Sequence, residues 1–221
     1  CNFSSYGASL VHLDQDGKRI DPFINYLKPV PQHIRELFDS LYGPEKDISA
    51  VTASPFLGML NSGLQLFWLK YKKPDRFRRI HTSLHLPQYF TYLLTGKTFT
   101  DITSVGCHTM LWDFQKQAYH QWVIREEIEK FFPPIQRADH VFNFSFNNRI
   151  IKVGVGVHDS SAALMPYLAT QKEPFLLLST GTWNICFNPF NNNPLTPEEL
   201  SADCLCFLTF ESKPVKASRI F

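Results

Sequence analysis

The stretch Gly154-Val-Gly-Val-His-Asp159-Ser-Ser-Ala-Ala-Leu164, followed by Phe175-Leu-Leu-Leu-Ser179-Thr180-Gly181-Thr182-Trp183-Asn184-Ile-Cys-Phe187, decides how this chain is read. The apolar run over residues 150–157 predicts a strand, and Asp159 and Ser160 then open a helix through Ala162, Ala163 and Leu164 to residue 168. Asp159 therefore stands at a strand-to-helix corner. Residues 175–178 and 183–187 predict two short strands joined by a turn of Ser, Thr, Gly and Thr, which offers hydroxyls and unpaired backbone N–H groups. A lone carboxylate at a helix start, close to a hydroxyl-rich glycine turn, supplies a base for a hydroxyl nucleophile and a cradle for a phosphate. The pair points to phosphoryl transfer.

Each feature also has a plainer reading. Asp at a helix start accepts backbone N–H bonds and complements the helix dipole, worth about 0.5–2 kcal/mol without any chemistry. Standing alone, the Ser179–Thr182 turn reads as an ordinary hairpin turn, for it is neither a Walker A loop nor a GxGxxG loop opening a helix, and its phosphate reading comes from its neighbour Asp159. What favours chemistry at Asp159 is the Gly154-x-Gly156 approach and the small residues from Ser160 to Ala163, which let another molecule come close. His81-x-x-x-His85 lacks the further ligands of a zinc site and reads as packing, so no metal ligand is assigned. A serine-hydrolase elbow, Gly-x-Ser-x-Gly, is absent.

The 221 residues carry 44% hydrophobic and 14% aromatic residues, enough for a buried core in one large or two smaller domains. Twenty-two Lys and Arg against 20 Asp and Glu leave a net charge of +2, which calls for neither nucleic acid nor an anionic membrane. The apolar runs fall short of the roughly 20 residues that span a bilayer, so a soluble, cytoplasmic protein is expected. Five cysteines without a CxxC pair read as reduced, mostly buried thiols, with Cys204 and Cys206 facing the core from one strand.

Along the chain, Asp14-Gln-Asp-Gly17 predicts a hairpin turn with a return strand over 18–23. Helical spacing appears over 32–42, 61–71, 84–94 (closed by Gly96) and 117–132. Residues 98–113 read as a structured loop of the kind that carries sites, and residues 142–148 as a strand and turn feeding the 150–157 strand. The best domain boundary falls near residues 170–174. Mixed helices and strands give an α/β or α+β class. Both ends read as cut, so the expectation is a piece of a longer protein.

Taken in order, four segments resemble the FGGY family of carbohydrate kinases, nearest its rhamnulokinase and fuculokinase branch. Gly156-Val-His-Asp-Ser-Ser-Ala-Ala163 resembles the segment with the family's catalytic Asp, and Leu178-Ser-Thr-Gly-Thr-Trp183 its second phosphate-binding turn. Gln88-Tyr-Phe-Thr-Tyr-Leu-Leu-Thr-Gly96 with Asp101-Ile-Thr-Ser104 is similar to a family helix and its acidic-Thr loop. Asn61-Ser-Gly-Leu-Gln-Leu-Phe-Trp-Leu69 resembles the first signature, with Gln65 where many members have Lys. No Asp-x-Gly-Thr first phosphate loop and no adenine-binding glycine segment is present, and Ser9 aligns where rhamnulokinases have Asp, with Gly7 retained.

The resemblance implies an actin-like, ribonuclease-H-like α/β fold, with residues 1–171 most of a sugar-binding domain and 172–221 the start of a nucleotide-binding one. It implies ATP-dependent phosphorylation of a sugar hydroxyl, with Asp159 as general base, Thr180, Gly181 and Thr182 on phosphate, and Tyr6, Ser9, Lys28 and His158 toward the sugar. ATP and Mg2+ are the implied cofactors and a small sugar the partner, and a homodimer is compatible with it. The alternative is a non-catalytic actin-like sugar-binding or scaffold protein, motivated by the missing first phosphate loop.

Overall fold

A computed structural model describes residues 1–180 and 184–220. Three of the expected helices form where the apolar spacing puts them. Gln32–Tyr42 buries Ile34 and Phe38, Ser62–Lys72 is buried along most of its length, and Leu86–Thr95 ends at Gly96, whose φ of 70° is the left-handed cap expected there. Phe38, Phe67 and Trp122 meet edge to face at centroid separations of 5.1–6.3 Å, and this aromatic knot centres the larger core.

Several expectations are corrected. The Asp14–Gly17 turn forms, Asp14 Oδ1 accepting the N–H groups of Asp16 and Lys18, but no return strand follows beyond a bridge from Leu13 to Arg19. Leu10–Leu13 pairs instead with the distant Thr82–His85, which buries Val11 and Leu13 against Leu84. Glu45–Thr52 is an additional helix, and Pro74–Arg78 another. Residues 117–132 do not make one helix: Gln121–Arg125 stops where Glu127 takes a φ of 56°, and a single 3-10 turn, Glu129–Phe131, follows. Of the five free cysteines only Cys107 and Cys206 are buried, and Cys1 is exposed.

The 150–157 run is likewise not one core strand. Val141–Phe146 and Arg149–Gly154 form a hairpin turned by Asn147 and Asn148, both at positive φ, and Ile150 on it is 76% exposed. The chain then bends at Gly156 (φ 89°), where a Cβ would lie 2.7 Å from the Pro87 carbonyl. Val157–His158 emerges as a short strand parallel to Ser4–Ser5. From it the helix Asp159–Thr170 starts, as expected.

The last segment is a four-stranded antiparallel sheet in the order Leu177–Ser179, Asn184–Asn188, Pro214–Ile220, Cys204–Leu208. Its inner face packs Ile185, Phe187, Leu205, Phe207 and Val215 against Leu164 and Cys107. Two backbone bonds fix it to the rest of the chain: Leu208 N–H to Gly106 C=O and Cys206 N–H to Ala53 C=O, both 2.9 Å. This docking brings the sheet over the start of the Asp159 helix.

Candidate active site

The corner that carries Asp159 is held from three sides. Gln88 Nε2 donates to the Gly156 carbonyl at 2.8 Å, Asn2 Oδ1 accepts the Gly156 N–H at 2.9 Å, and Thr103 Oγ1 accepts the His158 N–H at 3.0 Å. Thr103 also donates to the carboxylate of buried Asp101, which accepts the Ser104 N–H at 3.0 Å and so caps the turn Ile102–Val105. Burial raises the Asp101 carboxyl to about 6, with the bonds from Thr103 and Ser104 opposing the rise. Gln65, in the position where a lysine was the commoner expectation, is buried and bonds the carbonyls of Ala8 and Met59, both at 2.7 Å. That ties the strand edge near Tyr6 to the turn ahead of Leu60.

Asp159 is the first residue of its helix, but His158 is the capping position and makes no side-chain cap bond. The Asp159 side chain is 52% exposed, and Oδ1 accepts the Ser160 N–H at 2.7 Å and lies 3.4 Å from His158 Nε2. The His158 imidazole is buried, stacked on Phe207 at 5.3 Å. Burial lowers its pKa, and the Asp159 charge works against that shift. The second imidazole nearby, His108, is pushed down to about 3 by burial.

Asp159 faces a cavity of about 430 Å3 that it shares with Tyr6, His108, His158, Ser160, Ser179, Thr180 and Arg219. Its walls include Leu57, Leu60, Ile185 and Phe207, and the rings of Tyr6 and Tyr26, 5.4 Å apart, stand at one side. Among the expected site residues, then, Tyr6, His158, Asp159 and Thr180 meet at one opening. Ser9 is fully buried and does not line the cavity, and Lys28 sits with its ammonium 5.0 Å above the Trp68 ring, also outside the lining. Gly181 and Thr182 lie outside the described residues. His81 and His85 do not converge on a metal: His85 Nε2 bonds Ser62 Oγ at 3.1 Å while His81 is exposed.

Arg219 was missed by local reading. It enters because Arg219 pairs with Ile185 in register across the sheet, and Asp203 holds its guanidinium at 2.6 Å. Hydroxyls at Ser179 and Thr180, a fixed cation and a carboxylate around one cavity suit the binding of an anionic group beside an exposed base.

Comparison with known proteins bears on the family and the fold. Residues 2–163 match the FGGY family of carbohydrate kinases, N-terminal domain. The chain is 27% identical over 194 residues to L-fuculokinase of Escherichia coli (strain K12), covering 82% of this chain and 40% of that protein. It is 26% identical over 215 residues to rhamnulokinase of Pectobacterium atrosepticum, covering 90% of this chain and 40% of the relative. A carbohydrate kinase from Novosphingobium aromaticivorans superposes with a TM-score of 0.82 at 27% identity, over 99% of this chain and 49% of that one. Ligand-bound xylulose kinase from Lactobacillus acidophilus, 19% identical, shares the fold with a TM-score of 0.79 over 99% of this chain and 45% of its own. The chain thus spans less than half the length of these relatives.

Proposed function

The chain belongs to the FGGY family of carbohydrate kinases and has its actin-like α/β fold, and on that premise we propose that the protein it comes from phosphorylates a hydroxyl of a small sugar. The observation that carries the reading is Asp159, half-exposed at a helix start and facing a cavity with Ser179, Thr180 and Arg219. In this reading Asp159 accepts the proton of the attacking sugar hydroxyl, and His158, neutral and 3.4 Å away, keeps the carboxylate oriented. ATP supplies the phosphoryl group. The residues present fit such a donor: Ser179, Thr180 and Arg219 bring hydroxyls and a cation to the same cavity, and with Gly181 and Thr182 they would hold its phosphates. Most of the acceleration then comes from positioning and charge neutralisation.

Tyr6 and His158 are assigned to the sugar side. The relatives' names make L-fuculose and rhamnulose the first sugars to try, and the apolar wall of Leu57, Leu60 and Phe207 suits a substrate with one apolar edge. Residues 1–171 are taken as the sugar-binding domain and 172–221 as the opening of the nucleotide-binding one. Mg2+ with the nucleotide, a cytoplasmic location and a homodimer are further parts of the proposal. The test is sugar-dependent ADP release by the intact protein across a panel of ketoses and deoxy-ketoses. Sugar binding without ADP release from any of them would instead support the non-catalytic alternative.

A further inference from the structure

Three ligating atoms converge beside Asp159, one of them on His158, which the proposed reaction also uses, and one on Cys107, which also packs under the sheet. Cys107 Sγ and one ring nitrogen each of His108 and His158 lie within 4.8 Å of one another. Cys107 and His108 follow the turn Ile102–Val105, whereas His158 ends the strand Val157–His158, so only the tertiary fold brings them together.

Two further observations make this more than a coincidence of side chains. Gly7 packs closely against two of the ligands: a Cβ there would lie 2.7 Å from Cys107 Sγ and 3.2 Å from His158 Nε2, so any side chain at this position would displace one of the two donor atoms. His108 Nε2 is buried and has no hydrogen-bond partner among the described residues, a state that buried imidazoles normally avoid. His108 and His158 both line the cavity, so an ion reaches them from that side.

We propose that Cys107, His108 and His158 form a binding site for one zinc-class divalent ion, with its fourth position turned toward Asp159. One thiolate and two imidazoles are a three-ligand zinc donor set, and sulfur disfavours magnesium and calcium. Zinc bonds of about 2.0–2.3 Å separate ligand atoms by roughly 3.3–3.8 Å in a tetrahedron, so side-chain rotations of about 1 Å close the site. On binding, the Cys107 proton leaves to solvent and the thiolate donates its electron pair to the ion.

Asp159 Oδ1, 3.4 Å from His158 Nε2, is within reach of the fourth position. The bound ion therefore engages the carboxylate or holds a water against it, and zinc inhibits. This consequence, unlike the binding itself, rests on the proposed kinase reaction.

The test uses the purified intact protein, stripped of metal. Titration with Zn2+ against a chromophoric chelator is expected to show one equivalent bound, and Co2+ a thiolate-to-cobalt charge-transfer band in the near ultraviolet. Both are lost in Cys107→Ser, and His108→Gln weakens zinc binding by about tenfold or more. Melting curves without metal check that the variants fold. Cobalt binding without the sulfur band, or zinc binding unchanged in Cys107→Ser, overturns the site. For the inhibitory role, Zn2+ lowers ADP release of the parent protein and not of Cys107→Ser, which keeps the parent rate in zinc-free buffer. One bound equivalent with undiminished ADP release overturns that role. Because binding is read without turnover, a protein that binds zinc and phosphorylates no sugar upholds the site while sinking the kinase reading.

Discussion

Thr103 Oγ1 accepts the backbone N–H of His158 at 3.0 Å while donating its own proton to Asp101. A single hydroxyl thus couples a buried carboxylate to the corner from which the Asp159 helix starts. Thr103→Val keeps the β-branched shape but leaves the His158 N–H and the Asp101 oxygen without that partner, at a cost of about 1–3 kcal/mol. If the hydroxyl positions Asp159, turnover falls while the Michaelis constant for sugar changes little, and Thr103→Ser restores most of it. Equal turnover in the valine variant would show that the corner holds without this bond.

Asp101 makes stability depend on pH in a direction unusual for a carboxylate. Its folded pKa of about 6 lies above the ordinary 3.8, so the folded state binds the extra proton between them. Its contribution is full below about 4 and is lost as pH rises through about 6, a change on the order of 3 kcal/mol.

Three histidines act oppositely. His12 and His85 are buried and His108 is half-buried, and desolvation pushes all three down to about 3, so they contribute stability above pH 6.5 that is lost as pH falls toward 3. Each steepens the loss by up to about 1.4 kcal/mol per pH unit. Three such groups outweigh Asp101, so urea midpoints are expected to fall from pH 7 to pH 5. His85→Gln makes that fall shallower, and Asp101→Asn makes it steeper. A midpoint flat over this range would contradict the burial of the imidazoles.

Gly156→Ala tests the bend before the corner that carries Asp159. The φ of 89° is poor for alanine and its Cβ would meet the Pro87 carbonyl at 2.7 Å, against backbone that has little room to shift. We expect a loss of about 2 kcal/mol or more in stability, read as a lower urea midpoint. Wild-type stability would mean that the strand can pass Pro87 by another path.

The sequence is most legible where local spacing sets the structure. Ile34, Leu37, Phe38 and Leu41 mark their helix without help, and Gly96 marks the end of another. Legibility fails where a single backbone choice or a distant partner intervenes. Glu127 at a φ of 56° breaks an apolar pattern that reads as one helix, and Leu10–Leu13 finds its partner at Thr82–His85 rather than beyond the nearby turn. The site divides in the same way. Asp159 follows from a strand-to-helix pattern, whereas Arg219 and His108 reach the cavity only through sheet register and docking, which no local pattern encodes.

The central claim is that Asp159 is the base of a sugar kinase, and Asp159→Asn in the intact protein tests it most directly. Asparagine retains an oxygen for the Ser160 N–H that Asp159 Oδ1 now accepts at 2.7 Å, so the melting temperature and sugar binding are expected to stay near those of the parent. Sugar-dependent ADP release is expected to fall by roughly 10²–10⁴-fold, as for loss of a general base. Near-normal ADP release from a folded Asp159→Asn protein would contradict the assignment, and a large fall in melting temperature with little kinetic change would return Asp159 to a purely structural role at its helix start.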